Sequence, residues 1–340
     1  MVIQIEPYQR LNQKDYCEIT LINDNGMQVT LLNYGATLEK IRLPQKDGTL
    51  RNVILTLPTP EDYSRTRNYL GGVVGRICGR VRKGQWQYGA TTVQLPLNDG
   101  VNHSHGGDEG TDTQVFNFQT YQTATEAVAQ FTLLDPAGHN GYPGNLKLIA
   151  TYTLTNDNAL LLQLTAVSDA LTILNPANHV YFSLNGSGTT ILNNQLQLNS
   201  AYYYPLDTTS LPKVGMMSVA DTVFDFRKGV LIRTVLQSED PEIKAENGLN
   251  HPFVLTGKAP AACLWSGDQT IKLTVTTKAP GLVVYTANHF DHTGVAHNIG
   301  QYAGIALETQ VPPSGTTDLS AITLLPGEHW QTWTKWAFNF

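Results

Sequence analysis

The chain has 340 residues, 41% of them hydrophobic, which allows a large core in either one domain or two. Its 22 basic and 28 acidic side chains leave a net charge of −6, with no basic tail or patch, so a nucleic-acid partner is not expected. Met1-Val2-Ile3-Gln4-Ile5-Glu6-Pro7 meets an acid and a proline before a secretory core can develop, and no run reaches the ~18 apolar residues of a membrane helix. A cytoplasmic protein with no membrane partner is expected. Cys17, Cys78 and Cys263 are odd in number and far apart, which suits reduced thiols and neither a disulfide framework nor a zinc knuckle.

In chain order, Asn23-Asp24-Asn25-Gly26 and Lys46-Asp47-Gly48 read as hairpin turns between early strands. Thr59-Pro60-Glu61-Asp62-Tyr63 predicts a single helical turn with Thr59 as N-cap and Pro60 at the first helical position. Asn98-Asp99-Gly100 marks another turn. Apolar residues then alternate at period two through Leu146-Lys147-Leu148, Thr151-Tyr152-Thr153-Leu154 and Leu160-Leu161-Leu162-Gln163-Leu164, with Asn156-Asp157-Asn158 between them. Ile271-Lys272-Leu273-Thr274-Val275 repeats the pattern, and Gly327-Glu328 precedes the last strand. No long amphipathic helix, internal repeat or linker interrupts the series, so residues 1–340 are expected to form one all-β domain.

Candidate chemistry lies on scattered polar residues. Two imidazoles and a carboxylate suit proton transfer near neutral pH, and His105, His179 and Glu308 supply them only if a fold brings them together. Taken singly, each has a plainer reading. Glu308, in Gly304-Ile305-Ala306-Leu307-Glu308, could be a strand carboxylate facing water, and His179 a satisfied core histidine. His103 and His105 share the spacing of metal ligands on a strand, but no third ligand accompanies them. Arg80 and Arg76 compete as donors to a polar ligand. Tyr202-Tyr203-Tyr204, Trp330, Trp333 and Trp336 read as sheet and core aromatics rather than stacking platforms.

The ordered set Asn33-Tyr34-Gly35-Ala36-Thr37-Leu38, Gly75-Arg76-Ile77-Cys78-Gly79-Arg80-Val81, His105-Gly106-Gly107, Gly141-Tyr142-Pro143-Gly144, Asn178-His179-Val180-Tyr181-Phe182, Phe224-Asp225-Phe226-Arg227, Gly248-Leu249-Asn250-His251-Pro252-Phe253, Tyr285-Thr286-Ala287-Asn288 and Leu307-Glu308-Thr309-Gln310 resembles the aldose 1-epimerase (galactose mutarotase) family over nearly the whole chain. The resemblance implies a large single-domain β-sandwich with an open sugar-binding cleft. It also implies interconversion of the α- and β-anomers of galactose, glucose or a related monosaccharide without metal or cofactor, by a monomer or homodimer. It places the general base at Glu308, the general acid at His179 and a second imidazole near the ring oxygen at His105. Arg80, Gly79, Tyr181 and Asn250 fall on substrate-binding positions, with Asn178 as a neighbour that supports His179.

Two positions depart from the family pattern. Asn250 stands where relatives carry an aspartate, which keeps an acceptor oxygen but loses the charge. Ala279, before Pro280-Gly281, stands where relatives often carry glutamine. Both motivate a rival reading, a mutarotase-like sugar-binding or regulatory protein with little catalysis. A glycosidase would need two carboxylates across a glycosidic bond, and the motifs supply only Glu308.

Overall fold

The computed structural model describes residues 1–340. Three antiparallel sheets hold most of the strands. A five-stranded sheet runs in sequence order through Val2–Leu11, Lys14–Ile22, Gln28–Leu32, Thr37–Pro44 and Leu50–Asn52. A nine-stranded sheet contains the hairpin Leu146–Thr155 and Ala159–Ser168, with the last strand, Trp330–Asn339, returning beside it. A six-stranded sheet, ordered Tyr181–Phe182, Ile305–Gln310, Gly281–Tyr285, Asn250–Leu255, Ser200–Tyr203 and Met217–Ser218, bears much of the cleft described below.

The period-two runs form strands because each buries alternate residues. Leu146, Leu148, Ala150, Tyr152 and Leu154 are buried while the residues between them are more exposed. The nine-stranded sheet contributes Leu148, Leu162, Leu273, Val275 and Trp336 to the largest core cluster. The six-stranded sheet contributes Phe182, Phe253, Leu282, Val284 and Leu307 to the same cluster. Face-to-face packing of two such apolar layers makes a β-sandwich, and Phe182 meets Trp336 across it at a centroid distance of 6.2 Å. Trp330 and Trp333 lie on the same final strand and Tyr203 is buried; none of these aromatic residues lines the cleft.

Helix is confined to short pieces, and the first differs from expectation. It spans Asp62–Arg65, and Thr59 does not cap it. Instead the Asp62 carboxylate reaches back to accept from the Thr59 backbone N–H at 3.1 Å and its hydroxyl at 3.0 Å. Two further helices, Ile232–Leu236 and Pro241–Ala245, were not expected. The second carries a readable start: Asp240 accepts from the N–H groups of Glu242 and Ile243, and Pro241 occupies the first turn. Its five residues are too short to leave a periodic stripe.

Candidate active site

Strand register assembles the cleft. In an antiparallel sheet, directly opposed residues share a face. One row opposes Asn250 to Tyr285, Tyr285 to Ala306 and Ala306 to Tyr181, and the next opposes Pro252 to Val283 and Val283 to Glu308. The alternate residues Leu282, Val284, Ile305 and Leu307 face the sandwich core. Glu308 and Gln310, two apart, therefore emerge together into a cleft of about 300 Å³ that His105, His179, Arg80, Gly79, Tyr181 and Asn250 also line.

Glu308 is buried on a strand with no exposed residue, where an unpaired carboxylate would be costly. Both oxygens have partners. His179 Nε2 lies 3.2 Å from Oε1. Oε2 accepts from Gln310 Nε2 at 2.9 Å and from the Cys78 thiol at 3.4 Å. Gln310 is itself held by Asn175, whose Nδ2 donates to its Oε1 at 3.1 Å. Burial, then the nearby Glu308 charge, push the Cys78 thiol well above its ordinary range, so Cys78 stays protonated and acts as a donor.

His179 is held by its backbone, which exchanges hydrogen bonds with Gly71 and Gly72. Its Nδ1 is buried without a partner, while Tyr69 stacks on the ring at 5.9 Å and Tyr181 lies at 5.0 Å. Asn178 does not support the ring directly. Its side chain accepts from the Val180 N–H and donates to Gly71 O and Tyr152 OH, fixing the bend on which His179 sits.

His105 occupies a left-handed turn, φ 47°, followed by Gly106 and Gly107, also at positive φ. A Cβ on Gly106 would lie 1.8 Å from Gly75 O, so only glycine permits this approach. The Gly79 N–H donates to His105 Nδ1 at 3.3 Å, and His105 N–H donates to Gly79 O at 2.9 Å. An accepting Nδ1 places the ring proton on Nε2, which is left for a ligand. Burial, followed by the His179 and Arg80 charges, holds His105 well below its usual range, so the ring is neutral at physiological pH.

The two arginines separate cleanly. Arg76 is fully buried, ion-paired to Asp135 at 2.6 Å, and donates to the carbonyls of Pro143 and Gly144. Arg80 lines the cleft, steered by one bond from Nε to Asp99 at 2.6 Å. Its terminal nitrogens have no protein partner and remain available to hydroxyls. His103 faces away, bonded to Pro96 O and Tyr142 OH at 2.7 Å each. No group of three or more His, Cys, Asp or Glu side chains is placed to hold a metal ion. Ala279 lies in the turn before Gly281–Tyr285 and does not line the cleft.

Several contributors escaped sequence reasoning. Gln310 carried a signal, since two residues separate it from Glu308 on a strand. Cys78 and Tyr69 carried none. Arg67 grips the His105 loop: it pairs with Asp112 through two nitrogens, at 2.7 and 2.6 Å, and donates to the carbonyls of His105 and Gly107. Its guanidinium also sits 4.6 Å over the Tyr69 ring.

A family model described as aldose 1-epimerase matches residues 18–337. The aldose 1-epimerase of Escherichia coli strain K12 is 34% identical over 336 residues, covering 95% of each chain. The galactose mutarotase of Mus musculus is 32% identical over 327 residues, covering 93% of each. Among solved structures, galactose 1-epimerase from Lactobacillus acidophilus NCFM superposes with a TM-score of 0.94 at 52% identity, over 99% of this chain and 98% of that one. Fold and cleft thus define a sugar isomerase of the mutarotase type. The chain belongs to the aldose 1-epimerase family, the enzymes that interconvert the α- and β-anomers of aldoses.

Proposed function

We propose that Glu308 and His179 open and reclose the sugar ring as base and acid, with His105 as a neutral donor at the ring oxygen. The observation that carries this reading is the 3.2 Å approach of His179 Nε2 to Glu308 Oε1 at a cleft wall. Ring opening removes the proton from the hydroxyl on C1 and delivers one to the ring oxygen O5, and both oxygens are bonded to the same carbon. A base and an acid serving them must be neighbours, unlike the two carboxylates of a glycosidase, which stand about 5–9.5 Å apart.

The steps balance in protons. Glu308, ionised, accepts the proton of the C1 hydroxyl while the C1–O5 bond breaks, and O5 takes a proton from the His179 imidazolium. Gln310 and the Cys78 thiol orient the carboxylate through Oε2, so that Oε1, beside His179 Nε2, is the oxygen assigned to take the substrate proton. The aldehyde end then rotates, and reclosure runs both transfers backwards on the other face.

Arg80, Asn250, Tyr181 and the Gly79 backbone are assigned to holding the sugar. Galactose and glucose are the proposed substrates, supported by the galactose-directed names of relatives and by a cleft of monosaccharide size. One core cluster threading the three main sheets supports reading residues 1–340 as a single domain. Three free, buried cysteines support a cytoplasmic setting, and no helix is long and apolar enough to cross a membrane. Polarimetry on freshly dissolved α-galactose, then on glucose, xylose, arabinose and maltose, tests the assignment. An unchanged spontaneous rate on every sugar would overturn it.

A further inference from the structure

Asn250 keeps its place in the cleft, and its amide is not free to turn. Nδ2 donates to Glu246 Oε2 at 2.9 Å, while Oδ1 has no protein partner. A carboxylate only accepts hydrogen bonds, so Glu246 selects the rotamer that points Nδ2 inward and leaves Oδ1 towards the cleft. The same carboxylate takes the hydroxyl of Ser210, another lining residue, at 2.9 and 3.1 Å. Glu246 itself lines no part of the cleft.

The frame beneath this contact is rigid. Glu246 closes the helix Pro241–Ala245, and its carbonyl accepts from Asn288 Nδ2 at 3.0 Å. Asn288 Nδ2 also donates to Leu249 O, and Thr286 donates to Asn288 Oδ1 while accepting from the Leu249 N–H. A Cβ on Gly248, φ 140°, would come within 2.3 Å of Asn288 Oδ1, so glycine lets the chain pass between helix and strand. The Asn250 N–H is tied to His251 Nδ1 at 3.2 Å. Helix end and strand start therefore share one buried polar network, which fixes the distance between Glu246 and Asn250.

We propose that Glu246 is a positioning residue for the sugar site. Held at the helix end, it orients Asn250 Oδ1 and the Ser210 hydroxyl as a pair and supplies, one step removed, the negative charge that the amide lacks. The proposal rests on the aldose reading of the cleft. It also changes what residue 250 tolerates: aspartate there would bring a second carboxylate against Glu246, where two anions in contact disfavour each other.

Kinetics on galactose, paired with calorimetric galactose binding, tests this in five proteins. Glu246→Ala should raise KM and Kd roughly fivefold, the loss of about one hydrogen bond, with kcat changed less than twofold. Glu246→Gln keeps an acceptor for Asn250 and should raise KM less than alanine does. Asn250→Asp should weaken binding relative to wild type, and Asn250→Asp with Glu246→Gln should recover it by rebuilding a carboxylate–amide pair in reverse. A fold defect alone would lower kcat and KM-independent stability together and would not show this rescue. Unchanged KM in Glu246→Ala, or tighter binding in Asn250→Asp than in wild type, overturns the proposal. A wild type that binds galactose without speeding anomer exchange would sink the catalytic reading while the Kd series still decides Glu246; no galactose binding at all would sink both.

Discussion

The two oxygens of Glu308 have different partners: His179 Nε2 lies 3.2 Å from Oε1 as an ion pair, whereas Gln310 and Cys78 donate hydrogen bonds to Oε2. One oxygen is thus anchored by hydrogen bonds and the other lies beside His179 at the cleft wall. That division orients the carboxylate before a sugar arrives, which reduces the ordering required on binding.

Replacing Glu308 by glutamine removes the proposed base but keeps shape and an acceptor oxygen. Anomer exchange should fall by roughly 10²–10⁴-fold, the usual contribution of a positioned acid or base. Polarimetry measures the rate and circular dichroism the fold. Equal activity in the variant and wild type would refute the assignment.

Cys78→Ala removes the thiol donor to Glu308 Oε2. We expect kcat to drop by a few-fold, in line with a hydrogen bond worth about 1 kcal/mol, with KM little changed. Because the thiol is buried and held protonated, Cys78 should resist iodoacetamide in the folded protein and react only after denaturation. Rapid native labelling at Cys78, read by peptide mass mapping, would contradict this account.

His105 should remain neutral, with its proton on Nε2, across the range in which an ordinary histidine titrates. Its folded pKa lies below the unfolded one, so the unfolded chain binds the extra proton first and stability falls as pH drops below ~6.5. Nitrogen-15 NMR of the ring should show no titration between pH 6 and 8. A midpoint inside that window would show that His105 carries charge in the native cleft.

Glu39 offers a test far from catalysis. It is fully buried on Thr37–Pro44, and neither oxygen accepts a hydrogen bond, although Lys40 Nζ approaches Oε1 at 2.7 Å. Burial, then the adjacent Glu18, pushes its carboxyl up to about 8. The folded state therefore holds a proton that the unfolded chain has lost above its ordinary carboxylate range. Stability is fully present below that range and declines as pH rises through about 8. Glu39→Gln should flatten this decline, so that from pH 6 to pH 9 its Tm falls at least ~2 °C less than that of wild type. Parallel melting curves for the two proteins would rule it out.

How much the sequence disclosed depended on how local each cause was. Period-two burial in Leu146–Thr155 and the turn formers at Asn23–Gly26 and Asn156–Asn158 are local, and they mark strands and hairpins without reference to the rest of the chain. The helix Pro241–Ala245 was also locally encoded, by Asp240 and Pro241, but five residues leave little pattern to notice. Thr59 misled because Asp62 bonds back to it, reversing the expected direction of capping.

The sequence by itself determined the family, the all-β character and the identity of His105, His179, Glu308, Arg80 and Asn250 as residues to follow, because ordered motifs and short-range alternation survive without coordinates. Only the tertiary structure decided which neighbours those residues have. Arg76 and Arg80 are four positions apart, yet one is locked to Asp135 and the other opens to the cleft. Cys78 lies against Glu308 across 230 positions of chain, and Glu246 meets Asn250 across a helix end. Hydrogen bonds act over about 3 Å, and only the sheets and turns that bring remote segments together bring such partners within that reach.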